Sequence, residues 1–214
     1  MIEIIRGILC EELTYFYIDE TTKHGFVIDP GADGDKLADY ANKKGYVLEH
    51  ILLTHGHGDH IYGAKRLRAL TGAPITMHKE GKDYVTNPNW NLSLALCGEA
   101  ISFEADHYLE HGAFIALEAN PAFKLQLIHV PGHTTDGASY YSKEEGIAFV
   151  GDTIFAGSVG RSDFPGGNAM RLMSTIRTQI FTLPEITILY PGHGPSTTVR
   201  KEIDTNPVFN MFDE

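Results

Sequence analysis

The sequence has 214 residues and a formal net charge of −11, from 17 Lys and Arg against 28 Asp and Glu. This length suits one domain with a substantial core, and the acidic balance argues against nucleic-acid binding, which uses clustered Lys and Arg. The N-terminus lacks the features of a signal peptide, and no apolar run is long enough to cross a bilayer. We therefore expect one domain over residues 1–214, cytoplasmic, with no nucleic-acid or membrane partner.

Hydrophobic periodicity predicts alternating strands and helices in the first half of the chain. Strands are predicted where β-branched and aromatic residues are bounded by turn residues, at 2–9, 13–18, 25–28, 51–54 and 75–78. Helices are predicted where apolar residues recur at helical spacing, from about residue 35 to 44, with Asp33 or Asp35 as cap and Gly45 as stop, and from about 61 to 70. The pattern is weak from residue 79 to about 105, which we interpret as irregular.

The second half carries more strands and one long helix. Strands are predicted at residues 114–117, 123–130, 138–142, 147–150 and 186–190, and a Gly-rich loop at 151–168. A helix is predicted from about residue 169 to 181, with Asn168 as its cap and Pro184 beyond its end. Because strands and helices mix throughout without a linker or repeat, we expect a layered α/β architecture.

Four times, an apolar strand-like run ends in a short segment that contains Gly with His or Asp. The segments are ILLTHGHGDH, LIHVPGHT, IAFVGDT and ITILYPGHG. Strands that end at a common edge of a sheet bring their terminal loops together, and α/β folds place ligand sites there. We therefore expect seven polar side chains to converge, namely His55, His57, Asp59, His60, His133, Asp152 and His193.

This combination of side chains indicates metal binding. Imidazole and carboxylate are ligands for Zn²⁺ and other divalent transition ions, whereas Mg²⁺ and Ca²⁺ prefer oxygen. Taken alone, His133 and His193 are more typical of turn residues, and Asp59 and Asp152 of caps. The cluster from His55 to His60 serves no purpose in a core, however, and the whole set is too large for one tetrahedral ion. Two ions that share a bridging carboxylate would use it fully.

These residues resemble the metallo-β-lactamase superfamily, whose HxHxDH signature stands here at His55 to His60, followed by the other three motifs. The resemblance covers nearly the whole chain and implies a four-layer αβ/βα sandwich with two divalent ions at one edge, zinc first, with iron or manganese as alternatives. It implies the following ligands: His55, His57 and His133 for one ion, Asp59, His60 and His193 for the other, and Asp152 as the bridge.

The same resemblance implies an activity. Asp152 stands where many zinc β-lactamases use a cysteine, and the stretch GDTIFAGSVGRSDFPGGN looks like that of compact glyoxalase II-like hydrolases. This implies hydrolysis of a thioester, such as a hydroxyacyl-glutathione, by a metal-bound hydroxide that the catalytic residue Asp59 orients. Larger glyoxalase II enzymes continue into a helical region that contacts glutathione, whereas about twenty residues follow His193 here. The thiol half of the substrate therefore stays open.

Two alternatives concern the Gly-rich loop and the reaction itself. Arg161, Asp163 and Phe164 are expected to contact the substrate, but Arg161 and Asp163 could equally pair to brace the loop. The rival activity is a persulfide dioxygenase of the same superfamily, with one iron held by His55, His133 and Asp152 and a similar loop. A non-enzymatic module is disfavoured because structural zinc sites are closed sets of four ligands.

Several residues are left out of the site. Cys10 and Cys97 lie far apart in the sequence and form no CxxC pattern, so they predict neither a disulfide framework nor a thiolate metal site. We expect both to be buried thiols, as free cysteines commonly are. His129 lies four residues before His133, and we interpret it as a strand histidine with a local hydrogen bond.

Overall fold

The structure, a computed structural model, describes residues 1–7 and 10–210. Its first half forms a six-stranded sheet. The elements in chain order are β1 (Ile2–Arg6), β2 (Leu13–Ile18), β3 (His24–Ile28), α1 (Gly34–Lys44), β4 (Val47–Leu52), α2 (Gly58–Ile61), α3 (Ala64–Thr71), β5 (Ile75–His78), α4 (Lys82–Thr86), α5 (Ser93–Cys97) and β6 (His107–Leu109). Neighbouring strands follow the order of the chain, antiparallel from β1 to β3 and parallel from β3 to β6.

The second half forms another six-stranded sheet. Its elements are β7 (Phe114–Ala116), β8 (Lys124–His129), β9 (Ala138–Ser142), β10 (Ile147–Gly151), β11 (Ile154–Phe155), β12 (Ser158–Val159), α6 (Ala169–Thr175), β13 (Ile188–Pro191), β14 (Thr197–Thr198), α7 (Val199–Thr205) and α8 (Pro207–Asn210). The strand order is β14-β13-β10-β9-β8-β7, while β11 and β12 form a small separate hairpin. A π-helical turn, Ile176–Ile180, extends α6.

Three apolar layers hold the two sheets and their helices together. Leu37 and Leu67 pack α1 and α3 against the first sheet, and Phe26 and Phe149 lie between the sheets. Leu172 belongs to the layer that packs α6 against the second sheet. Each such side chain, when fully buried, stabilises the fold by about 1.5–3 kcal/mol. This confirms the predicted α/β fold as a four-layer αβ/βα sandwich; among the described residues, no helix is long and apolar enough to cross a membrane.

The start and end of α1 show how the sequence determines local structure. The Asp33 carboxylate accepts hydrogen bonds from the backbone N–H groups of Asp35 and Lys36, which satisfies donors that the first turn leaves free. The helix ends at Gly45, whose φ of 71° is a left-handed conformation that glycine adopts without steric cost. The predicted cap and stop are therefore both confirmed.

The helix predicted over residues 61–70 is in fact two helices, α2 and α3, which are separated near Gly63. The Gly63 N–H donates to the Pro30 carbonyl over 2.7 Å, and a side chain at this position would overlap the backbone carbonyls of Pro30 and Ala32. Helical periodicity cannot reveal such a contact, because the contacting residues lie about thirty positions away.

Other differences from the sequence predictions involve short elements. The irregular segment over 79–105 contains a 3₁₀ turn, α4 and α5, and the Gly-rich loop contains the hairpin β11-β12. The elements β6, β14, α7 and α8 were not predicted, since runs of two to seven residues carry little periodicity. The first strand ends at Arg6, and residues 8 and 9 of its predicted span lie outside the described residues.

The prediction that both cysteines are buried is wrong. Cys10 is exposed and Cys97 is half-buried. Cys10 also has a positive φ of 56°, which places it in a tight turn between β1 and β2 rather than in a strand. Sequence gives no burial signal for a residue in such a turn.

Strand directions bring the motif-bearing loops to one edge of the sandwich. Strands β3 and β4 are parallel in the first sheet, and β8, β10 and β13 share one direction in the second. The two sheets are joined at this edge by a hydrogen bond of 2.7 Å from the Ala138 N–H to the Thr54 carbonyl. The loops after these strands therefore face one another.

Candidate metal centre

Three histidines from two strand ends converge in a buried cluster. His55 and His57 follow β4, and His133 follows β8. The His57 Nδ1 atom lies 3.1 Å from His55 Nε2 and 3.0 Å from His133 Nε2. One ring nitrogen carries at most one proton, so it cannot donate to both neighbours. A tetrahedral ion with metal–nitrogen distances near 2.0–2.1 Å sets its ligand atoms about 3.3 Å apart, which fits this spacing.

A second set joins the start of α2 to the loop after β13. His193 Nε2 lies 3.4 Å from Asp59 Oδ2, and His60 Nε2 lies 3.9 Å from the same oxygen. His60 is fully buried, yet its Nε2 atom has no hydrogen-bond partner. A buried polar atom without a partner is costly unless something else binds it, and a metal ion would supply that interaction.

Asp152, directly after β10, lies between the two sets. Its Oδ2 atom is 3.7 Å from His133 Nε2 and 3.6 Å from His193 Nε2, and its Oδ1 atom is 3.4 Å from His60 Nε2. Oδ1 has no hydrogen-bond partner, and a side chain at position 192 would overlap it, so glycine is required there. The donor atoms, their spacing and the unpartnered buried atoms fit a pair of divalent ions, and the clusters are typical of a dinuclear metal site.

Hydrogen-bond partners on the far side of the histidine rings fix the orientation of His55, His60 and His133. In each of these histidines, the Nδ1 atom lies next to an oxygen that can accept its hydrogen bond. His60 Nδ1 lies 3.0 Å from Asp29 Oδ2, and His133 Nδ1 lies 2.6 Å from the Arg161 carbonyl oxygen. His55 Nδ1 lies 3.1 Å from the Thr54 hydroxyl. Such contacts set the tautomer and raise the basicity of the nitrogen that faces a metal.

Asp29 is a candidate site residue that the sequence analysis missed. It accepts from the backbone N–H and the hydroxyl of Thr54 over 2.7 and 2.6 Å, and it also contacts His60. By its composition, Asp29-Pro30-Gly31 is typical of a turn. The available signal was its position directly after a buried strand, which it shares with the predicted site residues.

The three-histidine set is held in the neutral state. Burial lowers the pKa of His57 to about 3, and the neighbouring His133 ring adds to this effect. Burial, followed by the rings of His60 and His57, holds the pKa of His55 well below its ordinary value. Neutral imidazole is the form that binds a metal, so these rings are ready to act as ligands.

In the second set, by contrast, the charged forms of the side chains are favoured. Burial disfavours the charged form of His60, but the carboxylates of Asp152 and Asp59 outweigh it and raise the His60 pKa well above its ordinary value. Burial likewise opposes ionisation of Asp152, yet His60 and His133 hold its pKa well below its usual range. The carboxylates around His60 therefore stabilise a positive charge, and they would stabilise a bound cation in the same way.

The loop after β12 lies against the three-histidine set. Arg161 and Asp163 form a bidentate ion pair with both contacts at 2.7 Å, and the Arg161 guanidinium lies 3.8 Å from the centre of the Phe164 ring. The Phe164 ring in turn meets His57 edge to face, with 5.6 Å between ring centres. The structure thus contains the bracing pair, and it brings Phe164 next to the site.

Tyr84 is a second residue that the sequence analysis missed. Its hydroxyl donates to the Pro165 carbonyl over 3.0 Å and accepts from the Thr135 N–H over 3.2 Å, and its ring meets that of His57 edge to face. Tyr84 therefore ties the loop to the strand end that carries His133. It lies in the segment with weak periodicity, where nothing in the sequence marks it out.

Comparison with known proteins bears on this geometry. A family model described as "Metallo-beta-lactamase superfamily" matches residues 10–193. The chain belongs to the metallo-β-lactamase superfamily. Over 199 residues it is 37% identical to the probable metallo-hydrolase YqgX of Bacillus subtilis, with 92% of each chain covered. Over 190 residues it is 31% identical to the hydroxyacylglutathione hydrolase GloC of Haemophilus influenzae, with 88% of each covered.

Solved structures of this superfamily share the fold. The BLEG-1 B3 metallo-β-lactamase is similar with a TM-score of 0.91 and 32% identity over 97% of this chain and 99% of that one. TTHA1623 in a di-iron-bound form is similar with a TM-score of 0.81 and 30% identity, over 96% of this chain and 99% of that one. ETHE1 from Myxococcus xanthus is similar with a TM-score of 0.79 and 27% identity, over 97% of this chain and 83% of that one. The chain is thus similar to metallo-hydrolases, while the named activities of its relatives differ.

Proposed function

We propose that this protein is a dinuclear metal-dependent hydrolase that cleaves thioesters such as a hydroxyacyl-glutathione. The observation that carries the proposal is the position of Asp152, whose carboxylate is within 3.4–3.7 Å of nitrogen atoms from both residue sets. Similarity to GloC supports the thioester class. The same proposal includes a cytoplasmic location and a small-molecule partner rather than nucleic acid or a membrane.

The proposed ligands are the members of the two residue sets together with Asp152. His55, His57 and His133 would hold one ion, Asp59, His60 and His193 the other, and Asp152 would bridge them. Two divalent ions bound there, with zinc as the first choice and iron or manganese as alternatives, would lower the pKa of water and polarise a substrate carbonyl. The di-iron form of TTHA1623 shows that a protein of this fold can hold two iron ions.

The chain's own residues would orient the reactants. Asp59 lies 3.4 Å from His193 in the second set and can accept a hydrogen bond from the attacking water, which makes it the proposed catalytic residue. Phe164, beside His57, is the main proposed substrate contact, and Arg161 and Asp163 are proposed as weaker contacts because they already pair with each other. A thiol leaving group has a pKa of about 8.5, so it needs little protonation as the carbon–sulfur bond breaks.

The test measures hydrolysis of S-lactoylglutathione by protein loaded with zinc, iron(II) or manganese. We expect turnover with at least one metal, loss of at least about 10²-fold in His57→Ala and Asp152→Ala, and no change in His107→Ala, an exposed histidine outside the site. Circular dichroism verifies that the variants are folded. Folded variants as active as the parent, or turnover of the β-lactam nitrocefin alone, would contradict the proposal.

The second candidate is the persulfide dioxygenase, with His55, His133 and Asp152 around one iron. It is favoured by the similarity to ETHE1 and by the 3.7 Å between His133 Nε2 and Asp152 Oδ2. One iron would leave four of the seven residues without a use, namely His57, Asp59, His60 and His193, which is why we prefer two ions. Metal analysis with oxygen uptake on glutathione persulfide separates the two, since one iron per chain with oxygen consumption would overturn the hydrolase.

A further inference from the structure

A cleft of about 250 Å³ opens beside His193, between strands β1 and β2 of the first sheet and strand β13 of the second. Its walls come from β1 and β2 on one side and from Tyr190 and the loop after His193 on the other. The polar side chains that line it are Arg6, Tyr15, Tyr190 and Ser196. None of these residues belongs to the metal centre, and none was singled out in the sequence.

Hydrogen bonds place this cleft next to the second half of the metal centre. Arg6 is paired with Leu13 in the β1-β2 register, and the Leu13 N–H donates over 2.8 Å to the carbonyl of Gly192, the residue before His193. The Tyr15 hydroxyl donates over 2.6 Å to the neighbouring Pro191 carbonyl. The strand that carries Arg6 and the loop that carries His193 are thus fastened together through β2.

Apart from Tyr15, the polar side chains of the cleft have no partner among the described residues. Arg6 is exposed, and among the described residues it forms no ion pair, whereas Arg161, the cation on the opposite side of the centre, is engaged by Asp163. The hydroxyls of Tyr190 and Ser196 likewise form no hydrogen bond within residues 1–7 and 10–210. In a chain of net charge −11, the cleft therefore offers an uncommitted cation and two hydroxyl donors.

We propose that this cleft is a subsite for a carboxylate carried by one half of the substrate, with Arg6 as the residue that contacts it. A guanidinium binds a carboxylate through two parallel hydrogen bonds, and the two hydroxyls add donors for its remaining lone pairs. The other half of the substrate then extends toward Phe164 at the three-histidine set. This inference rests on the proposed thioester hydrolysis and makes Arg6 a residue that determines substrate specificity.

Three substrates and three variants test the subsite. S-Lactoylglutathione carries carboxylates on the thiol half, S-succinyl-N-acetylcysteamine carries one on the acyl half, and S-lactoyl-N-acetylcysteamine carries none. The variants are Arg6→Gln, Arg6→Lys and the matched control Lys36→Gln, which removes an exposed charge on α1. For Arg6→Gln we expect KM to rise about tenfold for one carboxylate substrate, with kcat and the uncharged substrate unaffected. The substrate that responds identifies the half of the thioester that occupies the cleft.

The conservative variant and the control sharpen this result. Arg6→Lys should recover part of the lost affinity, because it keeps the charge without the planar fork, and Lys36→Gln should match the parent. An unchanged KM for both carboxylate substrates would overturn the subsite and leave Arg6 as a charge that protects the edge strand β1 from pairing with other chains. An equal loss for the uncharged substrate would overturn it as well.

A binding measurement separates failure of the subsite from failure of the proposed reaction. S-Methylglutathione has no thioester bond and no free thiol, so its affinity, measured by calorimetry on metal-loaded protein, does not depend on hydrolysis. Binding that weakens about tenfold in Arg6→Gln supports the subsite even where no thioester is hydrolysed, in which case only the reaction is wrong. If thioesters are hydrolysed and no ligand responds to Arg6, the reaction stands and the subsite is wrong.

Discussion

The two halves of the metal centre are a few ångströms apart but differ in charge and surroundings. The three-histidine half consists of buried rings that burial keeps neutral, and it borders the aromatic residues Phe164 and Tyr84. The other half contains carboxylates that raise the pKa of His60, and His193 there is 27% exposed beside the Arg6 cleft. The site at this edge of the sandwich is therefore asymmetric: the three-histidine half is bordered by aromatic residues, and the other half by polar and charged groups.

The largest expected effect comes from removing the residue that the two halves share. Asp152→Ala should lower kcat/KM by at least about 10³-fold and reduce the metal content below one ion per chain, because both ions lose a ligand. His57→Ala affects one half only and should retain about one ion. Metal analysis and steady-state kinetics measure both effects. If Asp152→Ala still binds two ions and keeps more than a tenth of the parental activity, neither half of the site needs this carboxylate for metal binding or turnover.

Metal removal should destabilise the whole protein. Without ions, the carboxylates of Asp59 and Asp152 remain buried without full compensation, so we expect a chelator to lower the Tm by about 5–10 °C. The matched control is Asp152→Ala, whose Tm should respond by less than half as much. Differential scanning calorimetry measures the shift, and an equal response of parent and variant would mean that the bound ions do not stabilise this edge.

A buried acid behind the three-histidine half should make stability depend on pH. Burial raises the pKa of Asp136, which lies next to Gly56, to about 7. Because the folded-state pKa is above the unfolded value of about 3.9, the stability contribution is present below about pH 4 and is lost as the pH rises through about 7. Asp136→Asn has no carboxyl group to ionise, so its free energy of unfolding should not fall in this way. Relative to the parent, its free energy of unfolding should increase by about 1–3 kcal/mol between pH 5 and pH 8.5.

Urea unfolding at both pH values measures this gain. The exposed Asp39→Asn on α1 is the control and should show no pH-dependent difference from the parent. A constant difference between Asp136→Asn and the parent would mean that Asp136 remains ionised across this range.

The smallest expected effects concern the loop beside the three-histidine half. The Arg161 guanidinium is already paired with Asp163 in an exposed ion pair, so its donors are engaged, and Arg161→Ala should change KM by less than about threefold. Phe164→Ala removes the ring next to His57 and should raise KM by about three- to tenfold. A large effect of Arg161→Ala with none of Phe164→Ala would show that the guanidinium leaves Asp163 to bind substrate.

Much of the fold and site could be predicted because the signals are local. The alternation of strands and helices, the caps of α1 and the Gly-containing segments after apolar strands are patterns within about ten residues. They correctly predicted a layered α/β architecture and the strand ends whose loops come together, while the four-layer sandwich followed from the family resemblance. Asp29 and Tyr84 could not be predicted in the same way, since their roles depend on partners at Thr54, His60 and Pro165.

The sequence by itself determined which seven residues are the candidate donors and their order, because imidazole and carboxylate chemistry is a property of the residue type. Only the tertiary structure decided which donors face one another, that Asp152 lies between the two sets, and that Arg161 is paired while Arg6 is not. The physical reason is that charge, burial and hydrogen-bond geometry depend on distances between residues that the chain separates by dozens of positions, and those distances exist only after the two sheets have packed.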